Sequence, residues 1–134
     1  KHFFSDLALV RLSTKIDPTQ ASMLDYYPLL QPGDRFPIND PQLLPKLEPR
    51  PDQPHDFLHG LLASMAKIES QGYELLQNLG ADPLTHIYTA GGGAANSTWT
   101  AIRQRYLKVP IVSAKNTQAA YGTALLAMQG IVSQ

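Results

Sequence analysis

Three consecutive glycines, Gly91, Gly92 and Gly93, stand between a β-type run, "HIYTA", and a helix-type run that opens "ANSTW". Without Cβ atoms the backbone there is free to take positive φ and to present its peptide N–H groups unshielded. A helix starting just beyond adds unpaired N–H groups and the positive end of its dipole. Such a place holds phosphate. Asn96 falls at the expected helix cap, and Trp99 follows three residues later on the same side of the first turn. An amide can hydrogen-bond a base edge, and an indole can stack on the base's face. The five residues read together as the floor, rim and wall of a nucleotide site. Each also has a plainer role. The glycines would let the helix lie close on a sheet, Asn96 is a good N-cap by type, and Trp99 shares a stripe with Ile102 and Tyr106.

Other chemistries find less support. No Lys followed by Ser or Thr closes the glycine turn as in a Walker loop, and the spaced-glycine dinucleotide fingerprint is absent. Lys115, after the second β-type run, stands where a site for an unphosphorylated ribose would want a carboxylate, which leaves an NADP-binding half-domain of an oxidoreductase as an alternative. His55 and His59 share a helix face, but "HDFLH" lacks a third ligand and reads as surface. The acidic residues are scattered, and the sequence offers no catalytic base and no metal site.

The elements that must position the turn follow from periodicity. Phe4, Leu7, Ala8 and Leu12 predict a short amphipathic helix within residues 3–12, ending around Lys15. Asp17 to Pro54 holds nine of the eleven prolines. It reads as an extended arm wrapped over a surface by Leu24, Tyr26, Tyr27, Leu29, Leu30, Phe36 and Ile38. Leu58, Leu61, Leu62, Met65, Ile68, Leu75, Leu76 and Leu79 predict a long helix from about Pro54 to Leu79, capped at Asp52 or Gln53 and stopped by Gly80. Beyond it, residues 85–90 read as a strand, 96–107 as a helix, 109–113 as a strand, and 117–129 as a helix capped by Asn116 or Thr117. This alternation implies a parallel sheet with a right-handed crossover. In the last helix Ala119, Ala120, Gly122, Thr123 and Ala127 form a small-residue side suited to close packing.

Composition narrows the partners. Eleven basic residues balance eleven acidic ones, so no net field draws in nucleic acid or an anionic membrane. No apolar run reaches membrane-spanning length. The absence of cysteine excludes disulfides and thiolate metal sites, and fits the reducing cytosol. The 134 residues suffice for one domain. Two strands are few for a parallel sheet, so the chain is expected to be a single partial domain whose remaining strands precede Lys1. The uncovered sheet edge makes a homo-oligomer an expectation for the chain alone.

"AGGGAANSTWTAIRQRYLKVPIV" followed by "TQAAYGTALLAMQG" resembles the carboxyl-terminal domain of the FGGY carbohydrate kinases, a branch of the actin-like, ribonuclease H-like ATPases, and most closely the cyanobacterial and plant xylulose or ribulose kinase group. "GDRFPINDP" looks like that family's approach to the long helix, so the likeness covers almost the whole chain. It implies an α/β fold with few parallel strands and helices packed on them, cytoplasmic location, and MgATP or MgADP as ligand. Gly91, Gly92 and Gly93 would line the ribose and α-phosphate, Asn96 would meet the adenine edge and Trp99 its face. The sugar, a pentulose or related polyol, would bind mainly to a preceding lobe that also holds the catalytic aspartate. A family step of Gly, small apolar and Thr that faces the phosphates is replaced here by "LLPKLEPRP". A non-catalytic actin-like module is the remaining alternative.

Overall fold

Parallel strands cannot be joined by a tight turn, so a crossover helix must separate them. The computed structural model has that arrangement. It describes residues 3–114, 116 and 119–132, with the side chains of that span apart from 119–120 and 129–132. The order is α1 (Asp6–Ser13), α2 (Pro54–Asn78), β1 (Ile87–Thr89), α3 (Ser97–Leu107), β2 (Ile111–Ser113) and α4 (Ala119–Val132), with a 3-10 turn at Gly92–Ala95. β1 and β2 pair in parallel, with Ile87 opposite Ile111, Tyr88 opposite Val112 and Thr89 opposite Ser113. The chain is thus of mixed α/β class, with a two-stranded parallel sheet among the described residues. None of its described helices is long and apolar enough to cross a membrane.

Helix boundaries have local causes. α1 starts later than its apolar spacing suggests, because the Ser5 hydroxyl accepts from Ala8 N (3.2 Å) and fixes the cap there. Phe3 and Phe4 stay outside the helix and pack on Phe57, with ring centroids 5.6 and 6.0 Å away. α2 ends as expected at Gly80. This glycine has φ 99°, and the bonds Gly80 N to Gln77 O and Ala81 N to Leu76 O, each 3.0 Å, form the paired closure of a Schellman motif. α3 ends instead on Lys108 at φ 57°, a left-handed conformation that costs a Cβ-bearing residue about 1 kcal/mol. Lys108→Gly should therefore raise the melting temperature by about 3–5 °C. A lower melting temperature would mean that the lysine side chain contributes a contact worth more than its backbone strain.

α2 is the spine, packing on both α1 and α3. One core cluster joins Leu12, Ile16, Leu58, Ala66 and the wholly buried Ile102. A second joins Tyr26, Phe57 and Leu61. Residues 17–53 wrap this spine as an arm. Its deep anchor is Tyr26, 3% exposed, whose N–H donates to Ser64 Oγ (2.8 Å) and whose hydroxyl donates to Pro49 O (2.6 Å). The other expected anchors divide: Leu24 packs on the second cluster, whereas Leu30, Phe36 and Ile38 stay exposed. The arm closes on itself there, by backbone bridges Tyr27 to Lys46 and Asp34 to Asp40; of the three, Phe36 still lies beside Gly72 of α2, with which it lines a cavity.

The arm's root is fixed by Arg105, whose Nη1 donates to Pro18 O (2.9 Å) and to Gln20 O. Beside it His59 is half-buried, with a buried Nε2 that has no hydrogen-bond partner among the described residues. Burial first, then the charge of Arg105, hold His59 below the ordinary histidine value of 6.5, while Asp56, Asp17 and a backbone bond at Gln20 push the other way. The unfolded chain therefore takes up the proton more readily. The stability from a neutral His59 is full above pH 6.5 and is lost as pH falls through the lower folded value. His59→Gln should flatten the fall in urea midpoint on acidification from neutrality. An unchanged slope would assign that fall to other groups.

The sheet is covered on one side. Ile87 and Thr89 are buried while Tyr88 is 68% and Val112 44% exposed. α4 exposes Tyr121, Leu125, Leu126 and Met128.

Candidate functional site

β1 delivers the chain to Thr89, whose carbonyl accepts from Ala114 N (2.9 Å) just beyond β2. The backbone then leaves the sheet. Gly91 sits at φ 82°, ψ −174°, a combination that essentially only glycine adopts. Ala94 N to Gly91 O and Asn96 N to Gly93 O, each 3.1 Å, wind the chain into the 3-10 turn. Asn96 is extended and begins α3, its Oδ1 accepting from Trp99 N at 3.0 Å.

The three glycines are exposed, and their surroundings differ. At Gly91 the dihedrals require glycine. A Cβ on Gly93 would make only ordinary contact with the Trp99 indole, 3.4 Å from Cδ1 and 3.5 Å from Nε1. At Gly92 there is neither a positive φ nor, among the described residues, any atom within 4 Å of a Cβ. Nothing in the described residues asks for a glycine there.

Asn96 and Trp99 carry the structural roles their types suggest and remain at the turn. Asn96 Nδ2 donates to Ser13 Oγ (2.8 Å), and Thr98 Oγ1 donates to Ser13 O (3.0 Å), tying α1 to the start of α3. With cap and Ser13 bond made, the amide keeps one N–H and one oxygen lone pair. Trp99 is half-buried against the first core cluster, with its Cδ1–Nε1 edge where a Cβ on Gly93 would meet it. The structure therefore brings Gly91, Gly92, Gly93, Asn96 and Trp99 together as a shallow ledge. Cavities of about 440 and 180 Å³ lie elsewhere, lined by residues of α2, the arm and the segments around α3's end, and neither includes a residue of the turn.

Behind the ledge is a buried ionic bracket. Arg103, 8% exposed, donates from Nε and Nη2 to the two carboxylate oxygens of Glu69 on α2, at 2.7 and 2.5 Å. Its Nη1 donates to Thr89 Oγ1 at 3.1 Å. The guanidinium lies 5.5 Å from the Trp99 ring centroid. The Glu69 bonds raise the arginine's affinity for its proton further, against the effect of burial, so the group is a permanent cation.

No protein-family model matches the chain. Among the described residues no group of three or more His, Asp or Glu is placed to hold a metal. Lys115 and Thr117 lie outside the described residues, as do the side chains of Ala119 and Ala120. Gly122 of the small-residue side has no atom of the described residues within 4 Å of a Cβ.

Sequence reasoning missed Arg103, Glu69 and Ser13. A signal existed for two of them. Arg103 is four residues after Trp99 and so shares its face, and Glu69 continues the α2 face of Leu62 and Ala66 into the core. A charged residue at such a place needs a partner, and each is the other's. Ser13 had no local signal.

Proposed function

We propose that this chain is the nucleotide-binding lobe of an FGGY-type carbohydrate kinase of the actin-like superfamily. The full enzyme would transfer the γ-phosphoryl group of MgATP to a hydroxyl of a pentulose or related sugar. The observation that carries the reading is Gly92: an exposed glycine, next to Gly91 whose dihedrals require one, with no atom of the described residues within 4 Å of where a Cβ would stand. A backbone left bare without internal cause suits a ligand lying against it. In this reading the ribose and α-phosphate lie along Gly91, Gly92 and Gly93, and the spare N–H and lone pair of Asn96 meet the adenine edge. The free part of Trp99 meets the ring face. Phosphoryl transfer depends on positioning and charge neutralisation. Magnesium arrives with the phosphates, and the base and sugar contacts come from a lobe outside this chain. The ledge is one wall of that cleft, so alone the chain binds nucleotide weakly and phosphorylates nothing.

Trp99 is the single tryptophan, which makes its fluorescence a direct probe. MgADP should quench it with a dissociation constant in the high micromolar to millimolar range, and NADPH should not compete. Gly92→Val is the clean variant. It introduces no left-handed strain and its Cβ meets no neighbour among the described residues, so the melting temperature should hold while nucleotide affinity falls about tenfold or more, a loss of at least about 1.4 kcal/mol. Unchanged affinity in that variant would remove the basis of the reading, and tight NADPH competition would favour the oxidoreductase alternative.

A second reading, a non-catalytic actin-like module that docks a partner, has one observation in its favour: the open sheet face and exposed apolar side chains of α4. Such a module would bind nucleotide too, so sedimentation of the chain as a strict monomer is the result that would count against it.

A further inference from the structure

The glycine turn is held at both ends by the same side chain. Thr89, two residues before Gly91, receives Arg103 Nη1 on its buried hydroxyl at 3.1 Å, while its carbonyl is fixed by Ala114 N. At the far end the Cδ1–Nε1 edge of Trp99 lies 3.4–3.5 Å from where a Cβ on Gly93 would stand, and Arg103 lies 5.5 Å from the centre of that indole. Arg103 is itself held by two bonds to Glu69, on the central helix. Arg103 thus bonds the chain just before the turn, at Thr89, and lies beside the indole that flanks the turn's far end. Glycine carries the largest backbone entropy of any residue, so three in a row require such a restraint if they are to meet a ligand in one conformation. An exposed turn ordered only on binding would lose affinity to that ordering.

We propose that Arg103, oriented by Glu69, is a positioning residue that pre-orders the Gly91–Gly93 turn through the Thr89 hydroxyl and the Trp99 ring. It touches no ligand. Its effect is on how much of the time the turn is competent to receive one, and the ligand it serves rests on the nucleotide reading above.

The two ideas can be tested separately in the full chain. Thr89→Val keeps the shape and removes the acceptor, while Thr89→Ser restores it. Native-state hydrogen exchange at the Ala94 and Asn96 amides, whose bonds close the turn, reads its order with no ligand present. Thr89→Val should accelerate that exchange about tenfold, the scale of a lost bond to a charged donor. Thr89→Ser should stay near the parent, and the amides of α2 should be unaffected in both. MgADP affinity should fall in parallel in Thr89→Val and recover in Thr89→Ser. Turn exchange unchanged in Thr89→Val, or accelerated equally throughout α2, would overturn the positioning role whatever the chain binds. Exchange behaving as expected while the parent chain fails to bind MgADP would uphold the restraint and sink the nucleotide reading alone. Should Thr89→Val unfold, Arg103→Lys, which keeps the charge without the fork, is expected to give the same local acceleration.

Discussion

Glu69→Ala should lower the unfolding free energy by about 3–5 kcal/mol, the scale for stranding one partner of a buried pair. The Arg103 side chain is 10% exposed and that of Glu69 25%, so water replaces the lost carboxylate only in part. Thr89 would be left as the guanidinium's one remaining hydrogen-bond partner in this bracket. A domain of this size has only about 5–15 kcal/mol to lose. The pair's charge is not what stability needs: removing both partners, as in Glu69→Leu with Arg103→Met, should recover much of the loss, because a packed apolar pair escapes the desolvation cost. Urea denaturation of the two variants beside the parent measures both. A cost below about 1 kcal/mol for Glu69→Ala would class the pair with solvent-screened surface bridges.

Gly60→Ala is expected to be destabilising although it lies inside a helix. Helix propensity alone favours alanine over glycine by about 1 kcal/mol. A Cβ here, however, would stand 2.6 Å from Tyr26 Cε2 and 2.8 Å from Leu24 Cβ. Leu24 Cβ cannot swing away without moving the arm's backbone, and Tyr26 is fastened at both its N–H and its hydroxyl. Overpacking of this kind costs about 1–3 kcal/mol, and lifting Tyr26 also exposes Phe57 and Leu61, its partners in the second cluster. The net loss should be about 1–2 kcal/mol after the propensity gain, with faster proteolysis in residues 17–53. A more stable Gly60→Ala would mean that the arm is only loosely seated.

These two residues mark where the sequence stops being informative. Local signals were legible: the apolar repeat of α2, its proline start and glycine stop, Asn96 as a cap, and the alternation that requires parallel strands. Each depends on residues close in sequence. The boundary of α1 failed because apolar spacing continues back to Phe4 while the Ser5 cap decides the start. The arm was legible as a wrapping segment, but its anchors were not. Tyr26, Leu30 and Ile38 are all large side chains able to anchor the arm, and the one that sinks is set by distant features, the notch at Gly60 and the bonds to Ser64 and Pro49. The glycine turn was visible as a cluster, whereas its restraint by Arg103 spans α2, α3 and β1, a relation that no spacing within one element encodes.

The central claim is that the bare backbone at Gly92 receives a nucleotide, and the most direct measurement follows the backbone amide resonances of the chain as MgADP is added. The largest shifts should fall on Gly91, Gly92 and Gly93, with the Asn96 side-chain amide and the Trp99 indole N–H moving along the same binding curve. Resonances of the turn that stay in place at saturating MgADP, while shifts gather around Tyr73, Leu76 and Leu79, would contradict the account.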